Sequence, residues 1–386
     1  MNHRCRTLLT LGAVWSGSVL ISPLQAQSIR LTARVEDLEA AVRTDSCDAA
    51  ARYNLAIGYL SRNRFEQADS ALLRAVALDP QFAVAYFALS LAQDRNERYW
   101  NQLRRQGGDS AVIREARRRV AFERKAFLID PFVDVRLLGS VMRRGYVSLG
   151  VNSAIEHLAE GDYIQAYQEF DRQLSYLMGT SSRDSISASF LWLHSLAAAH
   201  TDHLAEATAD VQSLLRKSLA HERDDSTHTE PLRTNEYRYM LATLHQRSGR
   251  TDQALALYQE VIANDIGNYM AHVQMARIYE LQRDWDRALA ERRAAAEVNP
   301  EDHTVLYDLG AAYTRAGRWA DAEDPLARSR DMQPRYPRSW YALGVTRQQL
   351  GNSAGAREAF TGFLAIAPSR MSAQVNDART RLAALP

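Results

Sequence analysis

Histidines, carboxylates and cysteines are the residue types that most often carry chemistry, so their spacing in this chain is weighed first. In HERDDSTHTEP, His221 and His228 flank Asp224 and Asp225. These are metal-donor types, but their separation fits no common ligand pattern, and the composition is that of a solvated linker. His194, His200 and His203 lie near one another along the chain. At helical spacing they read as ordinary residues of helix faces. There is no H-E-x-x-H, no paired C-x-x-C, no G-x-S-x-G and no glycine-rich phosphate loop ending in Lys and Ser or Thr. The expectation is a protein that is not an enzyme, with no cofactor, no metal and no small-molecule substrate.

Charge supplies a second candidate. The whole chain is close to balanced at +1, which does not suggest a nucleic-acid binder. Between Arg98 and Arg144, however, twelve Lys and Arg stand against five Asp and Glu, a local excess of +7. The run contains Arg104, Arg105, Arg117, Arg118, Arg119, Arg124, Lys125, Arg143 and Arg144. One reading is a solvated helix face whose arginine stems cover apolar neighbours. The other is a contact for an anionic envelope surface, a polymer or an acidic protein. Aromatic residues are not interleaved as a nucleic-acid platform requires.

The elements that would carry these residues begin after a distinct N-terminus. MNHRCR is basic, Leu8–Ile21 is an uncharged apolar run, and SPLQA ends on the small residue Ala26. That is the layout of an export signal cleaved near Ala26, and the run is short for a membrane span of about 20 residues. A retained anchor is the alternative. With residues 1–26 gone, Cys47 is the one remaining thiol, so no disulfide can form within the mature chain.

Downstream the sequence repeats every 34 residues. Ala254, Ala288, Ala322 and Ala356 keep this period, as do Gly249, Arg283, Gly317 and Gly351, and Pro300, Pro334 and Pro368. Leu241, Met275, Leu309 and Leu343 recur with them, each followed by a small residue, Ala242, Ala276, Gly310 or Gly344. Trp340, Leu343, Gly344, Gly351, Ala356, Phe360 and Pro368, and again Leu306, Leu309, Gly310, Tyr313, Gly317, Ala322 and Pro334, closely resemble the tetratricopeptide repeat pattern.

That resemblance implies an all-α fold in which antiparallel helix hairpins stack into a right-handed superhelical solenoid. The expected organisation is a signal peptide at 1–26, an N-terminal capping helix at 27–48 and a degenerate block at 49–221 with an expanded second repeat. A linker at 222–234, four regular repeats at 235–370 and a capping helix at 371–386 follow. Pro325 falls inside a second helix, where it costs about 3 kcal/mol. The helix is expected to survive with a bend near Ala322.

The resemblance also implies that the first helices line a concave groove receiving a peptide or partner protein. By register this groove includes Tyr239, Thr243, Val273, Arg277, Tyr307, Ala311, Arg315, Tyr341 and Val345. Some relatives grip a C-terminal carboxylate with Lys and Asn. Here Tyr, Val and Thr stand at those positions, so that activity is not expected. The function expected is an exported protein-interaction scaffold, in or facing a bacterial periplasm, with an unidentified partner. The alternative is a structural spacer or assembly factor contacting an anionic surface through residues 98–144.

Overall fold

In the computed structural model the described residues are 34–93, 96–133, 152–179, 181–223 and 233–386. Residues 1–26, expected to be an export signal, lie outside them, as do Arg143, Arg144, His228 and the Asp224–Asp225 pair. Regular structure among the described residues is helical. The chain opens with α1 (Val35–Thr44), α2 (Ala49–Leu60), α3 (Phe65–Leu78), α4 (Ala83–Leu91) and α5 (Glu97–Ile129). It continues with α6 (Asn152–Glu160), α7 (Tyr163–Met178), α8 (Ala188–His200), α9 (Leu204–Arg223), α10 (Thr234–Arg247) and α11 (Thr251–Asn264). Then come α12 (Tyr269–Leu281), α13 (Trp285–Val298), α14 (His303–Arg315), α15 (Trp319–Met332), α16 (Pro337–Gln349), α17 (Ser353–Ile366) and α18 (Ser372–Ala384). From α1 to α5, and again from α6 to α18, each helix packs on the next, giving a solenoid of antiparallel hairpins from α2–α3 to α16–α17.

The repeat positions explain this geometry. Ala254, Ala288, Ala322 and Ala356 are fully buried, because the second helix of each hairpin approaches the first closely there. At Gly344 an added Cβ would stand 2.7 Å from the Phe360 ring, and at Gly310 it would stand 2.5 Å from Leu326. Small residues opposite large ones let the hairpins interlock without voids. Polar caps start several helices: Asp48, Asn268, Asp284, Asp302 and Asn352 each accept a hydrogen bond from a backbone N–H in the first turn.

The turn inside each hairpin needs one left-handed residue. Gly249, Gly317 and Gly351 take it at φ 72°, 75° and 76°. In other units Asn63, Asp202 and Arg283 stand in that conformation instead. Arg283 makes the same turn as Gly317, its N–H reaching Glu280 O at 3.1 Å, yet its Cβ costs roughly 1 kcal/mol there. Arg283→Gly is expected to raise unfolding stability by about 1 kcal/mol in urea titrations. Unchanged or lower stability would contradict the strain.

Three features depart from a uniform repeat. Helix α15 runs unbroken through the buried Pro325, so the missing N–H costs one bond without ending the helix. The surplus residues of the second unit all enter α5, which reaches 33 residues and turns at Gly108 (φ 64°, ψ −169°). Both ends of the array are covered. Val35 and Leu38 of α1 pack on the first hairpin, and Val375, Ala378 and Leu382 of α18 pack against Phe360 and Phe363.

The solenoid also folds back on itself. The turns between repeats at its start face those near its end in antiparallel order. Asp45 accepts from Ser369 N and Oγ at 3.0 and 2.7 Å, and Asp48 from Arg370 Nε at 2.8 Å. Arg335 donates to Ser46 Oγ at 2.6 Å and lies 3.5 Å from the buried Cys47 Sγ. Gln333 donates to Ala77 O at 2.8 Å, and Gln81 to Thr304 Oγ1 at 3.1 Å. Further in, Lys125 donates to Tyr269 Oη at 2.6 Å and sits over its ring, while Leu128 and Ile129 pack on the core around Tyr239 and Tyr258. The tip of this seam is polar and its root is apolar.

Candidate partner-binding wall

The first helices α10, α12, α14 and α16 carry the register positions that the repeat assigns to its concave side. Tyr239, Val273, Ala311 and Val345 are buried there and act as packing. Thr243 Oγ1 is turned onto its own helix, donating to Tyr239 O at 3.0 Å. Tyr341 is committed to the end cap, donating to Asp377 Oδ2 at 2.7 Å. Arg277 remains exposed, and Tyr307 and Arg315 are half-buried.

A buried ion cluster supports these residues from behind. Arg292 of α13 donates to Glu280 of α12 at 2.8 Å and to Asp308 of α14 at 3.1 Å. Arg315 closes on the other oxygen of Glu280 at 3.1 Å. Burial alone would depress the Arg292 pKa, but Asp308 and Glu280 outweigh it and leave it raised. Arg292 therefore stays charged, and the cluster ties three helices of two repeats together.

In front of the cluster lie two residues that register alone did not point to. Tyr336 is in the turn before α16, its ring edge-on to Tyr307 with centroids 5.5 Å apart. Arg338 is exposed in the first turn of α16 and has no carboxylate within 4.0 Å among the described residues. Tyr336 raises its pKa against the cost of burial, helped by Tyr307, Asp79 and Asp308. Arg277 has the opposite balance: desolvation first, and then Arg292, hold its pKa below the ordinary value. Both guanidinia are reached by solvent yet partly stripped of water by the surrounding chain, as expected in a concavity. Asp79, delivered from α3 by the fold-back, completes this surface, and burial raises its pKa.

The basic run divides once the faces of α5 are known. Arg105, Arg117 and Arg124 are exposed, Arg104 pairs with Asp109 at 3.0 Å, and Arg118 lies 3.5 Å from Glu115. Arg119 and Lys125 do not belong to a surface patch. Arg119 is buried between Asp69, at 2.5 Å, and Glu115, and also donates to Leu89 O. Lys125 is spent on Tyr269 in the seam. A charge count along the sequence cannot separate these inward positions from outward ones.

The histidines come closer together than their sequence reading implied. Tyr167 stacks on His203 at 3.9 Å and on His194 at 5.6 Å, and Tyr163 stacks on His200 at 4.0 Å. His194 Nδ1 is bonded to Asp210, which also takes Arg183. A buried His–Asp pair is half of a nucleophile-activating relay, and among the described residues His194 Nε2, where the nucleophile would stand, has no hydrogen-bond partner. Among the described residues no group of three or more His, Cys, Asp or Glu is placed to hold a metal ion. No helix among them is long and apolar enough to cross a membrane.

The repeat is also recognised by comparison with known sequences. The tetratricopeptide repeat profile matches residues 239–291, 273–337 and 307–370. A TPR repeat-containing protein of Pseudomonas aeruginosa is 35% identical over 80 residues, 20% of this chain and 76% of that protein. This chain belongs to the tetratricopeptide repeat family. Among solved structures it is similar to MamA from Desulfovibrio magneticus RS-1, with 18% identity, a TM-score of 0.38, and coverage of 46% of this chain and 94% of that one. It is also similar to the C-terminal part of a TPR repeat-containing protein from Cytophaga hutchinsonii, at 13% identity and a TM-score of 0.46, covering 59% and 84%.

Proposed function

We propose that this protein-interaction scaffold receives its partner on the wall formed by Arg277, Tyr307, Arg315, Tyr336 and Arg338. The observation that carries the reading is the pair Arg277 and Arg338. They are two solvent-facing arginines without a carboxylate within 4.0 Å among the described residues, Arg338 beside the edge-on pair Tyr307 and Tyr336, and Arg277 near the Arg292 cluster. Tyr and Arg are the residue types that concentrate binding energy at interfaces. A rigid wall also binds without first having to order its own side chains. The partner is a protein or an extended peptide, recognised by shape and hydrogen bonding, with no covalent step.

The test is capture from envelope extract on immobilised protein, beside a bait carrying Arg277→Glu, Tyr307→Ala and Arg338→Glu. A protein retained by the first bait and lost by the second is the expected result. An identical set on both baits would remove the wall from the account. The envelope is the source because the basic start, the apolar run Leu8–Ile21 and Ala26 support export. The mature protein is therefore expected to begin at Gln27 by intact mass, and a chain retaining Leu8–Ile21 would contradict cleavage.

A further inference from the structure

Helix α5 is the element whose length the repeat does not explain. It has 33 residues where the second helices α11, α13, α15 and α17 each have 14. Beyond the turn at Gly108 one of its faces is committed inward, with Ala111, Arg119 and Ala126 buried. The opposite face presents Ile113, Arg117, Val120 and Arg124, at steps of four, three and four residues, which places them in one stripe of a helix. Ile113 is 51% and Val120 46% exposed, and both arginines are exposed. Arg114 flanks the stripe, also exposed.

No acidic residue lies on this stripe. Glu115 is drawn to the inner side by Arg119, and Asp109 pairs with Arg104 at the turn. The cations that could have been neutralised internally, Arg119 and Lys125, already are or are otherwise engaged. The stripe thus alternates apolar and cationic side chains, and among the described residues none of its arginines is in an ion pair, the Glu236 carboxylate acting on Arg124 only from beyond contact distance.

We propose that this face of α5 docks on an anionic lipid surface, and it does so independently of the partner-binding wall. The alternation suits a bilayer boundary, where arginines reach headgroup phosphates while Ile113 and Val120 enter between them. The face is the outward side of a single helix, to which a lipid surface adapts. Charge complementarity draws the protein in, and the aliphatic pair makes the contact more than a screening effect.

The test is flotation of the full protein with phosphatidylcholine vesicles, with and without phosphatidylglycerol. Binding is expected only with the anionic lipid and should weaken as salt rises. Arg114→Glu, Arg117→Glu and Arg124→Glu together should lower partitioning by about a hundredfold or more. Ile113→Ser with Val120→Ser should lower it several-fold at a salt concentration where the parent still binds. Arg328→Glu, an exposed arginine on α15, should leave it unchanged. Circular dichroism confirms that each variant is folded. Failure of the parent to float, or equal flotation of the triple variant, would overturn the proposal. Polyglutamate bound as tightly, and without regard to Ile113 and Val120, would assign the stripe to acidic proteins instead.

Discussion

Arg292→Ala is expected to destabilise the fold by about 3–5 kcal/mol, more than any exposed substitution in the protein. Arg292 is 3% exposed and is the cation between Glu280 and Asp308. Removing it leaves two carboxylates beside each other in a partly dehydrated site, with Arg315 able to satisfy only one of them. The loss comes from the charges left behind, since a buried ion pair contributes little net stability over apolar packing of the same volume. The triple change Glu280→Gln, Arg292→Met and Asp308→Asn should therefore cost much less than Arg292→Ala alone. Urea unfolding monitored by circular dichroism distinguishes the two. If the triple variant is the less stable, the cluster is a net source of stability and the reasoning fails.

Opening of the folded-back solenoid is the second large effect. Its tip is held by Asp45 and Asp48 against Ser369 and Arg370, and by Ser46 against Arg335. Half-exposed contacts of this kind contribute about 0–1 kcal/mol each, so the tip is closed by only a few kcal/mol in total. Arg370→Glu adds a carboxylate facing Asp45 and Asp48, and Arg335→Ala removes the neighbouring contact. The double variant should shift the tip to the open form and enlarge the radius of gyration in small-angle X-ray scattering. High salt should act in the same direction on the parent protein. The root should stay closed, because Leu128 and Ile129 bury apolar surface against the second block. A scattering profile unchanged by both the double variant and salt would show that the tip does not depend on these contacts.

The hairpins were legible in the sequence because close helix packing has a compositional signature. Ala254, Ala288, Ala322 and Ala356 must be small, and Gly310 and Gly344 must admit Leu326 and Phe360. The fold-back was not legible. It is made by polar side chains in turns, such as Asp45, Gln81, Gln333 and Arg335, which obey no period and look like ordinary loop composition. The wall was half legible for the same reason. Register finds Arg277 and Tyr307 in the middle of their helices, but Tyr336 lies in the turn before α16 and Arg338 in its first turn, outside the positions the repeat assigns to the groove. Arg119 could have been found from the sequence, since it shares a helical face with Ala111, Glu115 and Ala126.

The arginine–tyrosine wall is tested most directly by hydrogen exchange on the protein with its captured partner bound. Slower exchange is predicted in α12, α14 and the start of α16, around Arg277, Tyr307 and Arg338, with α13, α15 and α17 unchanged. Protection confined to those second helices, or to α5 alone, would contradict recognition on the wall.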